Sequence, residues 1–350
     1  MAKNLVFSSG SPLIGSPIIY TVQAADLSGR LPESSNIAFH RLRVKVKAGL
    51  RGGDYKEIEM SSMVDNGEVL SVDISSALRA VADEYEYTAE PPAAYPYIQF
   101  SLSAWDEYMQ NGKLEDNVGL VTNDGGRALM GGYSDLDRLV AGNIKQTKVF
   151  TRKPSSMPEI VVEGETYIRP ANMEVTIGNI TSGPSSLSYP IVIDAEHPAG
   201  VREIVEGVSV YVMEKYRADR YQFRFINSFG CMESIGVYSN ATEKMNLTKE
   251  EYVLSRRETF NKFSRGYVTK VNDYETFELS SGPLDRMWQQ WFLHEFLMAR
   301  WVWILIEGRW LPCHILPADT ITGADRVSRS IYQVRFSVRL DINGSPYLTV

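Results

Sequence analysis

Cysteine is almost missing. Cys231 and Cys313 are the only two in 350 residues, too few for a disulfide framework, so the fold has to be held by its core. They can pair only if folding brings them together. No run approaches the ~20 apolar residues of a membrane-spanning helix. Met1–Phe7 contains no apolar stretch of signal-peptide length, which predicts a chain made and folded in a cytoplasm. Positive charge is in deficit: 36 Lys and Arg stand against 43 Asp and Glu, a net charge of −7. That balance favours solubility and argues against a general nucleic-acid binder, so no direct nucleic-acid contact is expected.

Motifs that carry chemistry are missing as well. Neither phosphate-loop glycine spacing is present, and there is no G-x-S-x-G nucleophile turn. His294-Glu295 is followed at the second zinc-ligand position by Met298, so the H-E-x-x-H pattern fails. Cys313 and His314 are adjacent and point to opposite faces of a strand. Cys231 is a nucleophile only with a histidine and an orienting group beside it. Glu165, Glu233 and Asp273 are available for a carboxylate pair, which the sequence cannot assemble. No catalytic, cofactor-binding or metal residues are assigned, and the expectation is a non-enzyme. The turn Asp65-Asn66-Gly67 offers oxygens of the kind calcium takes.

What is present is β-forming. The chain is 44% hydrophobic and 11% aromatic, with 19 tyrosines, which fits a globular, strand-rich protein. Ile18–Val22 and Tyr97–Trp105 read as strands. The cleanest signal is Phe39 to Lys47. Leu42, Val44 and Val46 alternate with Arg41, Arg43, Lys45 and Lys47, placing apolar residues on one face and four cations on the other. Those cations read as a solvated sheet face or as a contact for an acidic neighbouring subunit. Ile74, Leu78 and Val81 shift to helical spacing behind Asp73 and Ser75, predicting a short capped helix. Asn123 to Tyr133 holds Gly125, Gly126, Gly131 and Gly132 and reads as an adaptable loop. Its Leu129 and Met130 gain by burial, either in a second subunit with Arg127 at the rim or by the loop folding back on its own domain.

Lys153-Pro154-Ser155-Ser156-Met157-Pro158 marks a boundary, giving domains 1–153 and 154–350. Beyond it, Tyr167–Arg169, Met173–Ile177, Ile191–Asp194, Val208–Val212, Tyr221–Phe225, Glu251–Phe260, Tyr267–Val271 and Glu275–Leu279 are strand candidates. Gly282-Pro283-Leu284-Asp285 predicts a helix start near residue 284 and an end near 298, with Leu284, Met287, Trp288, Trp291 and Met298 covering a sheet. Trp301–Ile306, a Glu307-Gly308 turn and Arg309–Ile315 read as a hairpin. Tyr332 to Leu340 alternates as a last strand. Five of six tryptophans lie between Trp288 and Trp310; they read as core, with a sugar-binding platform or a protein interface as the alternatives.

Three segments carry a family resemblance. Arg224-Phe225-Ile226-Asn227-Ser228-Phe229-Gly230-Cys231-Met232-Glu233 resembles the F-x-N-x-F-G-x-x-E stretch of virion structural proteins in tailed phages and prophages of Bacteroidetes. Tyr274–Leu284, the tryptophan-bearing helix and the hairpin ending Leu311-Pro312-Cys313-His314-Ile315 are similar to later text in the same proteins. Val69–Leu78 resembles an N-terminal motif of that group. The resemblance implies a virion structural component of the tail, the tail tip, the head–tail connector or the capsid surface, most directly the tail or tail tip. Its partners would be copies of itself in a ring-like or other symmetric assembly and neighbouring virion proteins. The acidic metal cluster of a phage nuclease and the Walker box of a packaging motor are missing. The expected fold is mainly β: two β-sandwich-like domains with a few short helices, one packed on the C-terminal domain. A carbohydrate-binding adhesin and a hydrolase on a β scaffold are the competing readings.

Overall fold

A computed structural model describes residues 4–10, 13–27, 37–50, 53–83, 91, 97–133, 151–170, 188–194, 199–205, 208–213, 220–254, 265–316 and 332–340. The protein is mainly β, with a helix packed near the C-terminal strands, as the alternation and the Gly-Pro helix start predict. The candidates Met173–Ile177 and the outer part of Glu251–Phe260 lie outside the described residues.

The first half stacks two antiparallel sheets. β1 (Leu5–Gly10), β2 (Ile18–Gln23) and β5 (Val69–Asp73) form one, in the order β1-β2-β5. β4 (Tyr55–Met63), β3 (Ile37–Leu50), β6 (Tyr97–Gln110) and β7 (Lys113–Leu129) form the other, in that order. Ile18, Tyr20 and Val22 share a core with Leu42, Val44, Val46, Phe100 and Leu102. Period-two alternation on strands of both sheets drives the stacking, because each sheet has one apolar face to bury. α1 (Ser75–Asp83) closes that core with Ala77, Leu78 and Val81. The Asp73 carboxylate starts it, accepting from Ser75 N–H at 2.9 Å and from Ile18 N–H at 3.0 Å.

The second half begins with two small sheets. β8 (Glu159–Val162) runs parallel to β12 (Val208–Met213), which pairs with β11 (Gly200–Val205). β9 (Thr166–Pro170) pairs with β10 (Ser188–Val192). β13 (Arg220–Ile226), β14 (Met232–Leu254), β15 (Arg265–Ser280), β18 (Arg335–Leu340), β17 (Arg309–Leu316) and β16 (Val302–Ile306) follow as a closed barrel. Phe223 opposite Ile304 and Phe225 opposite Val302 complete the ring. Alternation shows which faces are apolar; the closure depends on pairing that no periodicity specifies.

A helix fills the barrel's aromatic core. Asp285 caps α2 (Arg286–Trp291) by accepting from Trp288 N–H at 2.8 Å. The helix then widens into a π turn over Phe292–Phe296, with Leu297 N–H donating to Phe292 O at 2.9 Å. The wide turn brings Phe292, Glu295 and Phe296 to the buried side. Phe296 packs against Phe223, Phe225 and Phe336 at ring separations of 5.4, 5.3 and 5.6 Å. The expected helix face needs correction: Met287 and Met298 are 58% and 75% exposed. The π turn shifts the register by one residue per turn, so straight 3.6-residue spacing misplaces Met298. The hairpin β16–β17 matches the sequence expectation, with Glu307 and Gly308 at φ 49° and 77° supplying the primed turn.

Candidate assembly surface

The cation row on β3 meets acids of its own chain. Arg41 makes a forked pair with Glu107, at 2.7 Å from Nη2 and 3.0 Å from Nε. Arg43 reaches Glu59 at 2.9 Å and Glu107 at 3.2 Å. Lys45 reaches Glu57 at 3.0 Å and Glu59 at 3.4 Å. Lys47 lies opposite Glu57 and over the Tyr55 ring at 5.6 Å. The row is a cross-strand ladder on a sheet face. Sequence reasoning saw the cations and missed that the flanking strands β4 and β6 carry the matching acids.

The glycine-rich segment also departs from expectation. Asn123–Leu129 belongs to β7 rather than to a loop. Leu129 is fully buried and Met130 is 8% exposed, so neither side chain is available to a second subunit in this fold. Arg127 lies over the Tyr97 ring at 5.0 Å. Leu129 packs with Leu13, Tyr97, Phe229 and Cys231, which joins the two halves of the chain. Gly132 N–H donates to Ser228 O at 2.9 Å, and Gly15 N–H to Gly131 O at 2.8 Å. A Cβ on Gly131 would collide with the Phe229 backbone, and one on Gly230 would stand 2.8 Å from the Met130 carbonyl carbon. The glycines are needed for close backbone approach between the halves.

The F-x-N-x-F-G-x-x-E stretch is this junction. Phe225 is in the barrel core and Phe229 in the junction cluster. Asn227 Oδ1 accepts from Phe229 N–H at 3.1 Å and Cys231 N–H at 2.9 Å, and its amide donates to Glu233 at 2.7 Å. Gly230 takes φ 79°, which the tight turn requires. Thr151–Met157, where the domain boundary was expected, is a strap without regular structure laid along the barrel. Lys153 is buried in it. Its ammonium pairs with Glu159 at 2.5 Å, donates to Ser234 O at 2.6 Å, and lies 4.9 Å from the Tyr167 ring and 5.4 Å from Trp291. Arg152 pairs with Glu295 at 2.8 Å, and Glu295 accepts from Ser228 N–H at 2.9 Å. Burial pushes the Glu233 carboxyl up to about 7, against Lys153, Thr151 and Asn227, which favour its charged form. Burial, with Glu233 nearby, raises the Cys231 thiol.

The remaining chemical candidates disperse. His40 is buried and shares a 3.0 Å hydrogen bond with Asp106, beside a cleft of ≈ 420 Å³ lined by Phe39, Met63, Val64, Asp65, Asn66 and Glu68. The Glu68 carboxylate accepts from Asp65 N–H at 2.8 Å and closes that turn. His294 and His314 are exposed, and Cys313 is buried on the opposite face from His314. Among the described residues, no group of three or more His, Cys, Asp or Glu side chains could hold a metal, and Cys231 and Cys313 are free thiols. Glu165 accepts from Arg220 at 2.7 Å. Trp288, Trp291 and Trp303 are buried, and Arg224 covers Trp310 at 4.1 Å. Trp288, Trp291 and Trp303 are thus core, as the sequence reading expects, while Trp301 and Trp310 are half-buried.

One surface feature was missed by sequence reasoning. β14 and β15 are far longer than the barrel they help to form. β14 pairs with β13 from Met232 to Tyr238, and β15 with β18 from Thr276 to Ser280. From Thr242 to Leu254, β14 pairs with β15 back to Arg265. Beyond Lys244 and Thr276, Met245–Leu254 and Arg265–Glu275 have, among the described residues, ladder partners only in each other. They form a two-stranded arm reaching roughly 30 Å beyond the barrel at the usual rise per residue. Its register sets Met245 opposite Glu275, Leu247 opposite Asp273 and Tyr252 opposite Tyr267. The available signal was negative: no glycine or proline lies between Gly236 and Gly266, or between Gly266 and Gly282.

Comparison with protein-family models, curated proteins and solved structures finds no match to this chain. Among the described residues, no helix is long and apolar enough to cross a membrane.

Proposed function

We propose that the chain is a non-enzymatic structural subunit of a tailed-phage virion, acting in the tail, tail tip or connector through contacts with copies of itself and with neighbouring virion proteins. The arm carries this reading. A two-stranded ribbon is marginally stable alone in water, and among the described residues its outer edges present unpaired backbone donors and acceptors that favour pairing with another chain. A ribbon of this length is therefore best accounted for as an element completed by a neighbour. A symmetric array makes a modest contact per subunit sufficient, because each copy is held by several others. The resemblance of the junction stretch to phage virion proteins supports a virion as that assembly, following synthesis in the bacterial cytoplasm.

The test is to replace Met245–Glu275 with Asn-Gly, so that Lys244 and Thr276, which are ladder partners, meet across a two-residue turn. Full-length protein should associate in sedimentation and native mass spectrometry, and the shortened chain should stay monomeric with an unchanged melting temperature. Equal association of both chains, or a full-length protein that remains monomeric at all concentrations, overturns the reading.

A further inference from the structure

The junction buries more acid than base. Glu159, Glu233 and Glu295 are each under a tenth exposed. Lys153 is committed to Glu159 and Arg152 to Glu295. The nearby Arg220 is bound to Glu165, and Arg169 donates to the Lys153 carbonyl. Glu233 is left without a cation of its own. Its Oε1 accepts from Asn227 at 2.7 Å, Thr151 of the strap is its other hydrogen-bonding neighbour, and Oε2 is buried without a partner of its own. A carboxylate with one bare oxygen in a dry site is costly, and the neutral acid is much less so.

The groups facing Glu233 come from every side. The strap contributes Thr151 and Lys153, the turn after β13 contributes Asn227 and Cys231, and the π turn that continues α2 contributes Glu295. Tyr167 of β9 also senses Glu233, and burial raises its phenol. The strap residues lie directly on the acid, so water that would solvate the anion has to displace Thr151 or Lys153.

We propose that Thr151–Met157 is a proton-dependent latch, held to the barrel by Glu233 as the neutral acid and loosened as the pH rises from acid to neutral. The sign follows from linkage. The closed site holds its proton up to about 7, whereas an open, solvated glutamate loses it near 4.5. Closure is therefore strongest at acid pH and weakens progressively through that window. Between pH 5.5 and 7.5 the opening equilibrium of the strap should rise roughly twentyfold.

Hydrogen exchange on the full chain, corrected for intrinsic chemical rates, tests this. Protection of the 151–157 amides should fall about twentyfold between those pH values, while the Leu42–Val46 amides of β3 stay level. In Glu233→Gln, an uncharged isostere, most of that dependence should be lost, the raised Glu159 carboxyl that holds Lys153 keeping a small remainder of the same sign. Strap protection independent of pH in the native chain, or a pH dependence of undiminished size in Glu233→Gln, overturns the proposal. Should that variant fail to fold, a carbon-13 titration of glutamate carboxyls in the native protein decides. One buried carboxyl with a midpoint near 7 supports the latch, and all glutamates ionised by about pH 5.5 overturn it.

Discussion

Gly131 and Phe229 meet backbone to backbone, with no room for a Cβ on the glycine. The contact joins the end of β7 to the turn that leads from β13 into β14, and so ties the first half of the chain to the barrel.

Gly131→Ala should therefore cost about 1–3 kcal/mol or more, as overpacking of a closed contact does. Gly112 gives the control. It has φ 76° and nothing within 4 Å of an added Cβ, so Gly112→Ala should cost only the backbone preference, about 1–2 kcal/mol. Urea titrations of both variants measure the difference. A Gly131→Ala chain as stable as the parent would mean that the halves are not held at this contact.

Trp303 is 1% exposed and packs with Ile168, Ile226 and Met232 on the outer wall of the barrel. Trp303→Ala should cost about 3–5 kcal/mol, the range for deleting a buried aromatic. Met298→Ala, at an exposed position, should stay within ~0.5 kcal/mol. Thermal melts of the pair separate the π-turn register from straight helical spacing. A costly Met298→Ala would restore the straight helix.

The β3 ladder makes a contrasting prediction. Arg43→Ala should cost less than about 1 kcal/mol, because Arg43 and Glu59 are partly exposed and Arg41 continues to neutralise the buried Glu107. Adding Lys45→Ala should leave subunit association unchanged in sedimentation, since the acids facing both cations belong to their own sheet. Loss of association in the double variant would return the row to the status of a subunit contact.

These cases show which parts of the molecule were legible in the sequence. Leu42, Val44 and Val46 declare their strand because period-two burial is a local rule. Glu307-Gly308 declares its hairpin because a primed turn demands positive φ at adjacent residues. The Asn227 turn was legible as a turn, but not as a junction. Its partners, Met130 and Gly131, lie about a hundred residues earlier, and close approach leaves no trace in composition beyond the glycines themselves. Leu129 misled for the same reason: apolar residues among glycines suit a loop awaiting a partner, and here the partner was the chain's own second half. Glu233 was visible only as an available acid, because its burial depends on a strap about eighty residues before it and a helix about sixty residues after it. The arm was hidden by the lack of turn residues, which left three separate strand candidates where two continuous strands run.

Continuity has a mechanical side. β14 is a single covalent strand from the barrel wall to Leu254, and β15 returns from Arg265 into the wall without a break. A pull along the arm is delivered in shear to the β13–β14 and β15–β18 ladders, whose bonds bear the load together instead of parting one at a time. The extended ribbon is thus anchored in the closed barrel, and tension applied at its far end is carried by that sheet as a whole.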